Sequence, residues 1–302
     1  MKGIIGLLML VSVFDSFRVF SQNEPSDNIN TFWSKIKIRK AFESLDDKKD
    51  PAIVSASFPK DKRNSFLING GISYQLITLR HRANNSVKQI FSPFFIFNRN
   101  TEIDKEQFNC KLGISFNWKL GNLNLATRTT RYFTWNNALE YMRDRIDSSH
   151  SLCITSNISQ INSRAGRGSF YINTYKDIGK GFQYFVSWSA GFEYQNNFEV
   201  KDKAKEGGIF RGYYNTDLRL RKKTSAIGEP FAEIAINNTG RYDFINGTSN
   251  RENYLPLFKA EVILFPTLNE DFSLSFSYNT GADPLAGLAK QDFYLLGLKL
   301  KK

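Results

Sequence analysis

Beyond Phe20 the sequence has no long apolar run. A membrane helix needs about 18 or more consecutive apolar residues, so none is expected in the mature chain. Cysteine is scarce. Cys110 and Cys153 are the only two and form no Cys-x-x-Cys, which excludes a disulfide framework and a zinc ribbon; both thiols are expected to be free. With His81 and His150 as the only histidines, a histidine-rich metal cluster is excluded too. No Gly-Lys-Ser or Gly-Lys-Thr occurs, so a phosphate-cradling loop is missing, and the Gly207-Gly208 pair merely follows Glu206. No cofactor and no metal is expected. The eight prolines and twenty glycines are scattered, without a linker, a low-complexity tract or a repeat of fixed length, which points to one large domain in 302 residues.

Acidic residues are the minority, and the formal charge is +12. The positive residues gather into no stripe, finger or arm, so nucleic acid is not the expected partner. Spread along the chain, they suit solubility and contact with anionic lipid headgroups.

What the sequence does have is alternation. Aromatic residues make up 15% of the chain, yet mean hydropathy is −0.39, so apolar residues are interleaved with polar ones. The clearest stretch is Phe182–Tyr194. Phe182, Tyr184, Val186, Trp188, Ala190, Phe192 and Tyr194 share one face, and Gln183, Ser187, Ser189, Gly191 and Glu193 the other, with Phe185 out of place. A soluble strand usually runs ~5–6 residues. Thirteen in register exceeds the ~9–11 that cross a bilayer at ~45° tilt. Without apolar helices, a chain that spans a membrane must do so as strands closed into a barrel.

The first residues bear on the compartment. Met1-Lys2 is followed by the apolar core Ile4–Phe14 and by Val19-Phe20-Ser21, so residues 1–21 read as a cleaved secretory signal. Residues 22–50 are expected to form a separate N-terminal periplasmic segment with a short amphipathic helix, in the periplasm or tucked into the barrel mouth, its loose stripe made by Phe32, Trp33, Ile36, Phe42 and Leu45. Residues 51–302 are the expected barrel. Its strands are Ala52–Phe58, Phe66–Thr78, Val87–Asn98, Phe108–Lys119, Asn122–Phe133, Arg167–Tyr175, Gly181–Gln195, Gly208–Arg221, Pro230–Asn237, Asn253–Phe265, Asp271–Asn279 and Lys290–Lys301. Pro93 cannot donate to a ladder, so a bulge is expected there. The expected fold is thus all-β, a closed antiparallel transmembrane β-barrel of about 12 strands. Short periplasmic turns alternate with longer external loops, the longest being 134–166. If Leu139–Asp144 and Ser151–Ser159 inside that excursion are also strands, the count becomes fourteen.

Several features resemble outer-membrane β-barrel proteins of the Bacteroidetes type: the signal ending Phe-Ser-Gln at 20–22, Pro51-Ala52 before the first strand, Gly71-Ile72-Ser73-Tyr74, and the final Phe293-Tyr294-Leu295-Leu296-Gly297-Leu298. Lys302 stands where that family commonly ends in an aromatic residue. The resemblance implies a Gram-negative outer-membrane location and a barrel, in a group that hosts porins, lipid transporters, adhesins and enzymes alike.

Following the alternation inward gives the candidate lumen lining: Lys111, Lys119, Arg128, Glu193, Arg211, Asp217, Arg219, Glu233, Lys259 and Glu261, with Arg221 and Lys299 beside them. Eight of these are positive and four negative, so a conducting lumen would prefer anions. Ser149-His150-Ser151 has a passing likeness to the His–Ser pair of outer-membrane phospholipases. No strand supplies it with a positioned nucleophile, base and orienting group, and an enzyme is not expected. The leading function is a narrow channel or uptake protein for small solutes or anions, in contact with outer-membrane lipid. The alternative is a closed scaffold whose external loops bind a partner, and a lipid-modifying enzyme is the third reading.

Overall fold

The structure is a computed structural model that describes residues 32–42, 52–57, 65–80, 87–101, 106–120, 123–124, 129–163, 171–224, 228–249, 252–266 and 272–300. The strands are β1 (Ile36–Arg39), β2 (Ala52–Ser57), β3 (Ser65–Tyr74), β4 (Ile77–Arg80), β5 (Val87–Asn100), β6 (Gln107–Leu120), β7 (Leu123–Asn124), β8 (Thr129–Asp144) and β9 (Ser149–Asn162). They continue as β10 (Lys176–Gly179), β11 (Phe182–Phe198), β12 (Gly207–Lys223), β13 (Pro230–Asn246), β14 (Tyr254–Leu264), β15 (Phe272–Asp283) and β16 (Leu288–Leu300). The barrel strands pair antiparallel. β16 pairs with β2 and β3 with β5, which closes a barrel of twelve strands in which β3 and β4 are two parts of one. β1, β7 and β10 are accessory. The strands β2 and β16 respectively start and finish at one end, the lower end, where β12 also finishes and β13 starts. At the upper end lie the 145–148 and 284–287 connections.

The strand count agrees with the sequence reading, but two members differ. The expected strand Asn122–Phe133 and excursion 134–166 are replaced by the hairpin β8–β9, whose register runs from Arg131↔Asn162 to Asp144↔Ser149. The carboxylate of Asp144 closes the short turn by accepting the N–H of Ile146 at 2.8 Å, and Ser148 takes φ 49°. The expected strand Arg167–Tyr175 is not formed over its described part. Ile172 makes a single bridge to Asn162, and the chain then turns into the tight β10–β11 hairpin through Gly179, Lys180 and Gly181, all at positive φ. At Pro93 the expected irregularity falls on the partner strand. β5 keeps register with β6, while Ser73↔Phe94 and Ile77↔Phe91 leave one extra residue between β3 and β4.

The expected signal sequence lies outside the described residues, as do His81 and Arg128. Of the expected amphipathic helix, the described residues hold one helical turn at 32–34, followed by β1. A compact unit begins at Lys37, and within it Phe42 is buried against Phe94, Ile96 and Ala138 of the barrel's inner face.

The polarity of a soluble barrel is reversed. Leu112, Ile154, Leu218, Ile236, Val262 and Leu296 face outward and are exposed, while Asn109, Glu140, Thr155, Glu193, Arg211 and Glu233 face inward and are buried. Aromatic residues flank the apolar band. Trp118 and Trp135, 4.5 Å apart, lie toward the lower end, and Tyr141, Tyr194, Tyr242, Phe244 and Tyr254 toward the upper.

Candidate functional site, the polar lumen

From β5 to β9 the inner wall is built of amides and hydroxyls. Asn98 donates to Asn109 at 2.8 Å, Asn136 to Asn157 at 2.9 Å, and Thr134 and Ser159 share a 2.5 Å bond. Lys111 and Glu140, 2.9 Å apart, form the ion pair of this wall. The Oδ1 atoms of Asn98, Asn117 and Asn136 have no protein partner. A buried polar group left in that way costs on the order of 1–3 kcal/mol, so the wall is one that calls for water against it.

From β11 to β16 the inner wall is charged. Arg241 on β13 reaches Glu193 on β11 at 3.1 Å and Asp283 on β15 at 3.2 Å, joining three non-adjacent strands. Arg211 meets Asp243 at 3.0 Å. Lower down, Arg219 grips Asp217 at 2.7 Å and Glu233 at 3.3 Å, and Arg221 holds Glu233 at 2.7 Å. Lys259 and Lys299 share Glu261 at 3.1 and 2.6 Å.

Each end of the lumen is narrowed. At the upper end Asp283, Pro284–Ala286 and Gly287 fold inward as one helical turn. Leu285 is 2% exposed there. Gln107 and Asn109 both donate to the Ala286 carbonyl from the opposite side. Gly287 adopts φ 68°, a left-handed conformation that favours glycine, and a Cβ on it would stand 2.6 Å from the Asn109 amide nitrogen, which would have to shift. At the lower end Tyr175 packs 5.0 Å from Phe185 and beneath the Arg221 guanidinium at 3.8 Å, with Phe265 on that guanidinium's other contact. The Tyr175 hydroxyl donates to Glu233 at 2.6 Å. Burial above all, opposed by Arg219, raises its pKa far beyond the usual phenol range, so it remains a neutral donor. Between the two constrictions lies a cavity of about 320 Å³, which falls in the ~300–1,000 Å³ span of small-molecule sites.

Of the ten candidate residues, Lys111, Glu193, Arg211, Asp217, Glu233 and Glu261 are buried on the inner face, and Arg219 and Lys259 are largely buried beside them. Lys119 is half-buried over the Tyr132 ring at 5.3 Å. Arg128 lies outside the described residues. The expected surplus of positive charge shrinks, because Glu140, Asp144, Asp243 and Asp283 join the inner face, against Arg241 from the barrel wall and Lys40 from the segment before it. Arg241 and Asp243 were hidden in the expected loop 238–252. Their signal is the continued alternation Glu233, Ala235, Asn237, Thr239, Arg241, Asp243, interrupted to the eye by Asn238-Thr239-Gly240. Gly240 is no turn: the Tyr214 ring covers it so closely that a Cβ would lie 2.4 Å away.

The Ser149-His150-Ser151 motif is split by alternation. Both serines are buried on the inner face, whereas His150 sits on the outer face against Tyr141 and Phe198. The serines therefore do not pair with this base. Cys153 lies on β9, buried in the inner wall and not in a loop, and Cys110 is on β6; neither forms a disulfide.

The class these features define is a closed, twelve-stranded antiparallel β-barrel with a polar interior and an apolar exterior. No protein-family model, no curated protein and no solved structure matches the chain.

Proposed function

We propose that this protein is an integral outer-membrane β-barrel that passes small solutes through its lumen. The observation that carries this reading is the reversed polarity: a continuous apolar, aromatic-flanked exterior around an interior of amides, hydroxyls and ion pairs. In water such an exterior would be an aggregation surface, and in lipid it is the solvated one. The secretory signal read in residues 1–21 supports export. The constrictions at Leu285 and at Tyr175 make the path narrow, which favours an uptake protein for small molecules over an open general pore. The split of His150 from its serines favours passage over acyl-transfer chemistry.

Swelling of protein-loaded liposomes tests the reading. Glycine should enter and a trisaccharide should not, in a preparation whose folding is verified by faster gel migration before boiling. A folded barrel that passes neither would replace this reading with that of a closed scaffold presenting its upper loops.

A further inference from the structure

β16 departs from the alternation its neighbours keep. From Phe293 to Leu296 it is apolar on both faces. Tyr294 and Leu296 point outward, 67% and 69% exposed, while Phe293 and Leu295 line the internal cavity. Ile53, Leu67, Leu257 and Leu285 extend that inner strip across β2, β3, β14 and the upper turn, so one side of an otherwise polar lumen is greasy.

This strip adjoins the β2–β16 seam, which has the shortest register of the barrel among the described residues. β16 pairs with β15 from Phe272↔Leu300 to Asp283↔Leu288. With β2 its register covers, among the described residues, Leu298–Leu300 against Ala52–Val54, with a further bond from Ser55 Oγ to the Leu296 carbonyl at 2.6 Å. The lower lumen beside the seam carries unbalanced charge. Two ammonium groups, Lys259 and Lys299, share the single carboxylate of Glu261. Lys40 lines the same cavity, where it repels Lys259 and attracts Asp283. Lys299 is the direct cross-seam neighbour of Ile53, so the cationic cluster and the apolar strip meet there.

We propose that the lumen binds a single-chain anionic amphiphile, its head at Lys40, Lys259 and Lys299 and its alkyl chain along Phe293, Leu295, Ile53 and Leu67, and that the chain passes between bilayer and lumen at the β2–β16 seam. The inference rests on the reading of the barrel as membrane-spanning with a solute-accessible lumen. The surplus cations select the charge of the head, the apolar strip selects the tail, and a strand apolar on both faces offers a tail the same surface inside and out. Carboxylate and phosphate heads satisfy this chemistry equally.

Native mass spectrometry of the full chain in a sugar-headed detergent, with laurate, dodecyl phosphate or dodecanol added, tests the site. One equivalent of each anion should be retained and dodecanol should not; the more tightly held anion identifies the head. Lys40→Ala, which breaks no ion pair among the described residues, and Lys299→Gln should each weaken retention about tenfold or more, the scale of a lost charge-assisted contact. Glu261→Gln, which removes the competing carboxylate, should strengthen it. Dodecanol retained as well as laurate, or lysine variants that bind like wild type, would overturn the site. For the route, Val54→Cys with Leu298→Cys, opposed in register, in a Cys110→Ser, Cys153→Ser background should slow laurate uptake when oxidised and recover on reduction. Unchanged uptake would remove the seam from the proposal. Liposomes that swell with glycine while the protein retains no anion would reject this inference alone, whereas absence of swelling in folded protein would reject the underlying reading.

Discussion

Between β5 and β9 the lumen wall is neutral and polar; between β11 and β16 it is held by ion pairs. Amides and hydroxyls bond in several orientations and accept water when a partner is missing, as the Oδ1 atoms of Asn98, Asn117 and Asn136 require. Buried charges have no such latitude. Arg241 must meet Glu193 and Asp283 from a strand that adjoins neither of theirs, so β11, β13 and β15 are fixed relative to one another. A slip of one residue would turn every one of these charges toward the exterior. The charged wall sets register, and the neutral wall tolerates solvent and solute.

Substitutions that break the two walls should differ in size. Arg241→Ala strands two carboxylates at once and should have the largest effect, about 3–5 kcal/mol, read as a lowered urea midpoint for the folded gel band in lipid vesicles. A loss below about 1 kcal/mol would mean that water already screens the charged wall as it does an exposed pair. Asn136→Ala removes one amide donor from the neutral wall and should cost about 0.5–1.5 kcal/mol by the same assay; a loss as large as that of Arg241→Ala would erase the distinction between the walls. Lys290→Ala, which breaks the exposed upper-rim pair with Glu252, should change the midpoint least, within about 0–1 kcal/mol. Gly287→Ala sharpens the comparison from the side of the upper turn, which docks on the neutral wall. With a Cβ forced against Asn109, the turn should detach from Gln107 and Asn109, and liposome swelling with glycine should quicken while the urea midpoint moves little.

How much of this was readable from the residues depended on contrast between the faces. Phe182–Tyr194 and Phe108–Lys119 carry large apolar groups on one face only, and both are strands with the expected sides. Phe185, the misfit in the first, is inside the lumen at 1% exposure, packed on Tyr175 and under Arg219 at 5.4 Å. β8 and β9 lack that contrast, because Asn137 and Ser156 interrupt the outward face. Each is satisfied locally, Asn137 donating to the Phe116 carbonyl at 3.4 Å and Ser156 accepting from the Trp135 indole at 2.9 Å. Those cross-strand partners do not exist until the strands pair, so the sequence reads as a loop. The same holds for the ion pairs of the charged wall. Alternation brings Glu193 and Arg211 inward, but that Arg241 bridges Glu193 to Asp283 follows from barrel closure, and nothing local announces it.

The central claim is that the polar face is a wetted interior and the apolar face meets lipid, and cysteine labelling across the wall tests it most directly. In a Cys110→Ser, Cys153→Ser background reconstituted in liposomes, Ser277→Cys, on the buried inner face, and Leu218→Cys, exposed on the outer face, are treated with a small water-soluble methanethiosulfonate or with a lipid-soluble maleimide. The account predicts that the water-soluble reagent modifies position 277 and leaves 218 untouched, and that the lipid-soluble reagent does the reverse. Water-soluble modification at 218 with none at 277 would contradict it, placing the apolar face in water and the polar face in a sealed core.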